Sequence, residues 1–217
     1  FKAANEIGFL KISGVQNFNF NKIEKEILLS IFNLPDKNKK KLYRWYFRNS
    51  NKNIYRGWFP LQKGLPTYKQ GIDIGPDLVR AIVHDPEDPL TEETPLPHEN
   101  ELPKWRPIAR NYYLSMENLG LVIMRSIARS LKIKENYFDD YFKNGNSTLR
   151  LLHYPVRDKN SFGKNMQNFQ VGNGYSLGKS HVDSGLLTIL QLDQVSGLQA
   201  QLKNDEWHEI VPENDTL

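Results

Sequence analysis

Of the five histidines in this 217-residue chain, one stands in a ligand-like arrangement, His181-Val182-Asp183. On an extended strand residues i and i+2 point to the same side, so this imidazole and carboxylate can converge on one metal ion. Such a pair supplies two of the three ligands of a 2-His-1-carboxylate facial triad, the Fe(II) arrangement that leaves positions open for O2 and a cosubstrate. The other four histidines, His84, His98, His153 and His208, do not sit this way. His208 follows Asp183 by 25 residues inside a strand-like segment and reads as a strand histidine facing solvent or a neighbour. The absence of cysteine excludes thiolate zinc sites, iron–sulfur clusters, disulfides and a cysteine nucleophile. There is no GxxxxGK[ST], HExxH or GxSxG pattern, and Gly172-Asn173-Gly174 lacks the third glycine of a dinucleotide loop. Asn146-Ser147-Thr148 is a glycosylation sequon that matters only in a secreted protein.

The elements around that pair change character along the chain. Glu6 to Val15 contains a short apolar strand, Phe9 to Ile12, leading into a glycine turn. From Asn21, a candidate N-cap, Ile23, Ile27 and Ile31 recur every fourth residue and predict a helix to about Asn33, ending before Pro35. Residues 49–77 read as loop and short extended pieces. The longest helical signal is Pro103 to Leu131, with Tyr112, Met116, Leu119, Ile123 and Ile127 forming one apolar stripe. A shorter helix is expected over Glu135 to Phe142, closed by Asn144-Gly145. Four β-favouring segments follow: Thr148 to Tyr154, Leu186 to Leu192, Leu198 to Leu202 and Glu206 to Val211. A polar stretch between Tyr154 and His181 reads as a lid or insertion. Helices first and strands after indicate an α+β chain with a β-rich core.

No apolar run approaches the roughly 20 residues of a membrane helix, so a spanning protein is excluded and a membrane is not expected as a partner. Charge is uneven: residues 1–60 hold twelve Lys/Arg against four Asp/Glu. The basic excess, Lys37 to Arg56, is interleaved with Tyr43, Trp45, Tyr46, Phe47 and Tyr55. Cations beside stacking surfaces could bind single-stranded nucleic acid. A solvated helix face followed by core-contacting aromatics explains them more simply. Asp85 to Glu101, with seven carboxylates and no Lys or Arg, reads as a surface loop, a poor neighbour for a phosphate-binding face. The chain begins at Phe1 and stops just after an apolar stretch, and reads as a piece of something longer whose targeting peptide is not excluded. The expected compartment is the cytoplasm.

The run HVDSGLLTILQLDQVSGLQAQLKNDEWHEIVP resembles the iron-binding segment of the Fe(II)/2-oxoglutarate-dependent oxygenases, in the branch with isopenicillin N synthase and the plant-type iron/ascorbate oxygenases. EIGFLKISGV, FNLPDKNKKK, YRGWFP with KQGIDIG, and LRLLHYP resemble that branch's other segments, in family order. The resemblance implies a double-stranded β-helix (jelly-roll) core preceded by a helical N-terminal region: 1–147 as the latter and 148–217 as the first part of the core, whose C-terminal part is missing. It implies that His181 and Asp183 bind iron, and that Tyr154 corresponds to a tyrosine that hydrogen-bonds the far carboxylate of 2-oxoglutarate in many members. Where some relatives have asparagine, this chain has Leu152. Arg150 shares the parity of Leu152 and Tyr154, so it could face the pocket and bind an anionic substrate or cosubstrate; the competing reading is a surface or structural cation. His153 has the opposite parity and reads as structural.

The implied activity oxidises a small organic substrate with O2 and releases succinate and CO2 from 2-oxoglutarate, with ascorbate as a reductant. The family's second iron histidine, and the arginine and serine that hold 2-oxoglutarate, lie beyond the sequence given, so these residues alone are expected to bind iron poorly. One alternative is an isopenicillin-N-synthase-like oxidase that uses no 2-oxoglutarate. Another is a non-catalytic jelly-roll domain that binds RNA or a protein through residues 37–56.

Overall fold

The computed structural model describes residues 2–15, 20–61, 68–158, 170–171, 174–175, 178, 180–213 and 216–217. These fall into two units. The first comprises Phe1–Phe20, Ser115–Lys143 and Asp183–Leu217, the second Asn21–Leu114 and Asn144–Val182. Helices among the described residues are α1 (Lys2–Glu6), α2 (Lys22–Leu29), α3 (Asp36–Lys39), α4 (Trp105–Ser130) and α5 (Asp139–Phe142). Strands are β1 (Gly57–Phe59), β2 (Gln70–Ile74), β3 (Leu149–His153), β4 (Gln170–Val171), β5 (Gly174–Tyr175), β6 (Leu198–Gln201) and β7 (Trp207–Ile210).

The second unit is built on a three-stranded antiparallel sheet in the order β1-β2-β3. Trp58 pairs with Ile72 and Ile72 with Leu151, so one face stacks Trp58, Ile72 and Leu151, all buried. Helix α2 starts as its sequence predicts. The Asn21 side chain accepts from the Glu24 N–H and the Glu24 carboxylate accepts from the Asn21 N–H, a capping box that satisfies two orphan donors. A 3-10 turn, Ser30–Asn33, then ends the helix before Pro35. Its Ile31 and Phe32 are buried, and Phe32 lies 5.4 Å from the Trp58 ring. The first turns of α4 belong to this unit. There Trp105 is buried and its indole N–H donates to the Leu28 carbonyl at 2.9 Å. At Gly57 φ is +116°, and a Cβ would stand 2.7 Å from the Leu42 carbonyl oxygen, so only glycine serves.

The first unit holds the remainder of α4, where Leu119, Ile123, Met124 and Ala128 are buried, together with α5 and the β6–β7 hairpin. Of the stripe the sequence predicts, Leu119 and Ile123 are buried here, while Met116 and Ile127 are only half-buried. Asn144, in the second unit, takes φ of 57°, the left-handed conformation asparagine tolerates, and follows α5 as expected. The hairpin pairs Leu198 with Ile210 and Gln201 with Trp207.

Three expectations change. Phe9 to Ile12 is no strand among the described residues. Pairing there is limited to Ile12 with Leu217, through two hydrogen bonds of 2.9 and 3.0 Å, and a Ser13–Thr216 bridge. Glu135 to Phe142 contracts to α5, because the residues before it close only isolated turns. Leu186 to Leu192 forms no strand among the described residues, so its apolar composition alone does not make one. Most of the stretch between Tyr154 and His181 lies outside the described residues.

The strands, helices and sheet order are those of an α+β chain, and the described β-pairing is antiparallel throughout its sheets. No described helix is long and apolar enough to cross a membrane.

Candidate functional site

The second face of the β1-β2-β3 sheet is polar where the first is apolar. Asp73 stands on β2 between Ile72 and Ile74, which point to the core, and is itself fully buried. Its register partner on β3 is Arg150. The Arg150 guanidinium grips the carboxylate with both arms, Nε to Oδ1 at 2.5 Å and Nη2 to Oδ2 at 2.8 Å. Arg44 donates to the same Oδ2 from the other side. Arg44 is delivered there because its N–H bonds the Trp58 carbonyl and Tyr43 bridges to Trp58, which lays this segment along β1. The Phe59 ring lies 5.1 Å from the Arg44 guanidinium and 5.8 Å from that of Arg150. Such bidentate, partly desolvated charge pairs are geometrically stiff, so Arg150 is held in one orientation.

Tyr154 follows β3 and is about half exposed, at 48%. Burial raises its phenol above the ordinary tyrosine value, and the Arg150 charge opposes that rise. The hydroxyl therefore stays protonated at neutral pH and can donate a hydrogen bond to a carboxylate. His153 turns to the opposite face, with its Nδ1 3.0 Å from Gln70 Nε2 and its ring 5.2 Å from Phe32, the structural place its parity suggests.

His181 and Asp183 are exposed and lie outside any strand. Among the described residues no three His, Asp or Glu side chains gather closely enough to hold a metal ion. The donor chemistry of the pair, an imidazole nitrogen and a carboxylate oxygen, fits two positions of an Fe(II) facial set. His208 sits on β7, exposed, 3.7 Å from Glu206.

The basic, aromatic segment is largely engaged in the fold. Arg44 is committed to Asp73 and Lys41 to Glu101 at 2.7 Å, while Lys39 lies over the Trp58 ring. Arg56 is fully buried and donates to Thr148 Oγ1, Asn146 Oδ1 and the Leu90 carbonyl. Trp45 and Tyr46 are the exposed aromatics that remain. The acidic stretch is correspondingly a strap. The Glu92 carboxylate accepts from the backbone N–H groups of Ile54, Tyr55 and Arg56 at 2.8–3.1 Å, and Asp77 accepts from both the N–H and hydroxyl of Thr94. Sequence reasoning missed Asp73, Arg44 and Arg56. The signal was present for Asp73: in KQGIDIG an aspartate alternates with two isoleucines, which marks a carboxylate on the reverse of a buried strand.

No family model matches the chain. It is 26% identical over 209 residues to proline hydroxylase buaE of Petromyces alliaceus, covering 93% of this chain and 59% of that protein. To isopenicillin N synthase of Streptomyces jumonjinensis it is 26% identical over 191 residues, covering 84% and 55% of the two chains. Its fold matches that of a full-length Neurospora crassa protein solved in complex with alpha-KG and thymine, at a TM-score of 0.76 and 22% identity, covering 97% of this chain and 62% of that one. A 2OG-Fe(II) oxygenase family protein from Caulobacter crescentus matches at a TM-score of 0.74 and 20% identity, covering 99% and 65%. The chain thus spans about three fifths of the length of these relatives. Its curated homologues are 2-oxoglutarate–Fe(II) oxygenases and isopenicillin N synthase, the resemblance its sequence carries, and its fold is that of the oxygenases.

Proposed function

We propose that this homologue of the 2-oxoglutarate–Fe(II) oxygenases serves the same chemistry: oxidation of a small organic substrate with O2, coupled to conversion of 2-oxoglutarate to succinate and CO2, with ascorbate as a reductant. One observation carries the reading. The likeness to curated oxygenases extends over 93% and 98% of the chain, and the chain bears a His-x-Asp pair at 181–183. His181 and Asp183 would hold the Fe(II), each through one donor atom. The metal, when bound, supplies the O2 activation that no side chain of this protein can supply. Tyr154 would donate its phenol to the far carboxylate of 2-oxoglutarate. Arg150 would present a guanidinium of fixed orientation to an anionic substrate or cosubstrate, with Asp73 as its positioning residue. Residues 1–147 would then be the region that frames the core, and 148–217 the first part of the jelly roll.

A second reading has support of its own. Isopenicillin N synthase is among the relatives, so an oxidase that uses no 2-oxoglutarate fits the same ligand pair. The nucleic-acid reading loses ground, because Lys41, Arg44 and Arg56 are spent on carboxylates or buried hydrogen bonds. The test is aerobic incubation of the protein, expressed from its whole coding sequence, with Fe(II) and 13C-labelled 2-oxoglutarate, read by NMR. Fe(II)-dependent labelled succinate supports the proposal. Iron-dependent O2 uptake without succinate moves the assignment to the oxidase. Neither activity, across a broad substrate panel, overturns both.

A further inference from the structure

The polar face of the β1-β2-β3 sheet gathers three cations, Arg44, Lys69 and Arg150, near the Asp73 carboxylate. Lys69 immediately precedes β2, so it shares a face with Gly71 and Asp73, and the antiparallel register brings it opposite Tyr154 as Asp73 is opposite Arg150. Arg44 and Arg150 both pair with Asp73, and Lys69 stands beside them. Both oxygens of Asp73 are already taken by the two arginines. Lys69 is half-buried and makes no hydrogen bond or ion pair among the described residues. Its ammonium is held below the ordinary lysine value, first by burial and then by the Arg150 charge, with Asp73 pulling the other way. A partly desolvated cation beside a second cation, with no anion of its own, is an arrangement that an incoming anion would complete.

Between the charged ends lies an apolar floor. Phe59 pairs with Gly71 across β1 and β2, and its ring presses so close that a Cβ on Gly71 would stand 2.5 Å from Phe59 and 3.1 Å from Leu152. The missing side chain lets the ring lie down on the strand. The half-buried Leu152, backed by the buried Phe59 ring, thus offers a non-polar surface between Arg150 at one end and Lys69 with Tyr154 at the other.

We propose that Lys69 is a substrate-binding residue that takes a carboxylate of the organic substrate, with Leu152 beneath the substrate's apolar part, so that the protein selects carboxylic acids over their neutral analogues. This deepens the oxygenase reading and depends on it only in calling the ligand a substrate. Two carboxylates could come to this place, the substrate's and that of 2-oxoglutarate, and the test separates them.

The experiment titrates the iron-free protein with benzoate, benzamide and 2-oxoglutarate, following the Lys69 and Tyr154 amide resonances. Benzoate should bind more tightly than benzamide. Lys69→Gln should weaken benzoate about tenfold, the size of one charge-assisted hydrogen bond, and leave benzamide unchanged. Lys69→Arg should restore most of the affinity, and Lys52→Gln, at an exposed lysine elsewhere, should change nothing. The melting temperature of Lys69→Gln should not fall, since the ammonium has no partner to lose. Equal binding of benzoate and benzamide, or benzoate affinity indifferent to Lys69→Gln, would overturn the proposal. So would a loss confined to 2-oxoglutarate, which would give Lys69 to the cosubstrate. No iron or turnover enters this measurement, so its failure leaves the oxygenase reading standing, and the converse holds too.

Discussion

Leu149–His153 and Leu186–Leu192 are both leucine-rich and reach different ends. The first lies against β2 in full register, and Leu151 is buried with Ile72 and Ile74. The second forms no strand among the described residues, and its Leu186 is 78% exposed, with Val182 just before it at 95%. Leucine dominates both, and the second adds the β-branched Thr188 and Ile189. What separates them is a neighbour: β2 provides one with hydrogen-bonding partners on its edge and a core under its face. A strand is a property of a pair, and composition alone specifies only half of it. The arrangement also separates two kinds of candidate residue. Arg150 and Tyr154 come from well-packed sheet, whereas His181 and Asp183 come from the exposed segment.

If that contrast is right, the sheet should be costly to disturb and the exposed segment cheap. The largest effect is expected for Asp73→Ala, which strips a buried carboxylate from two guanidinium groups. Loss of about 3–5 kcal/mol is the range for breaking such a cluster, toward its lower end because Arg150 can be rehydrated. Urea denaturation checks it, and a loss below about 1 kcal/mol would deny the cluster its structural role. Next comes the direct comparison. Ile72→Ala should cost about 2–5 kcal/mol as a core cavity, whereas Leu186→Ala should stay within about 0.5 kcal/mol. Similar costs at both sites would mean that the 186–192 segment is packed after all. Smaller still, Asn21→Ala should cost about 1 kcal/mol through the lost capping box, in the same denaturation assay.

The smallest effect sharpens the contrast at alkaline pH. Burial pushes the Tyr112 phenol well above its ordinary value of 10.0. The unfolded phenol therefore ionises first, so stability is flat below pH 10 and falls as pH rises beyond it. Tyr112→Phe should flatten that fall in a pH series of melting temperatures, and an unchanged slope would assign the alkaline loss to other groups.

The sequence was most legible where one local signal sufficed. Asn21 and Glu24 declared a helix start, and the stripe from Tyr112 to Ile127 declared α4 within two residues at its N-terminal end and one at its C-terminal end. Turn chemistry at Asn144 was equally local. Contacts between distant segments were not legible. Arg44, Asp73 and Arg150 meet through sheet register, and Arg56 reaches Asn146 and Thr148 across some ninety residues. The side-chain oxygen of the sequon asparagine, Asn146, thus accepts a hydrogen bond from the buried Arg56. The iron ligands were read from a pattern of two side chains and a family resemblance, while the face beside Tyr154 became visible only with the register in hand.

The most direct test of the central claim compares the native protein with Asp183→Ala in Fe(II)-dependent consumption of 2-oxoglutarate, alongside far-ultraviolet circular dichroism. Loss of a metal ligand should exceed the roughly 100-fold that an outer-sphere partner can cost, while the spectrum and melting temperature stay unchanged, because residue 183 is exposed. Turnover that survives Asp183→Ala undiminished would contradict the assignment of His181 and Asp183 as the iron-binding pair.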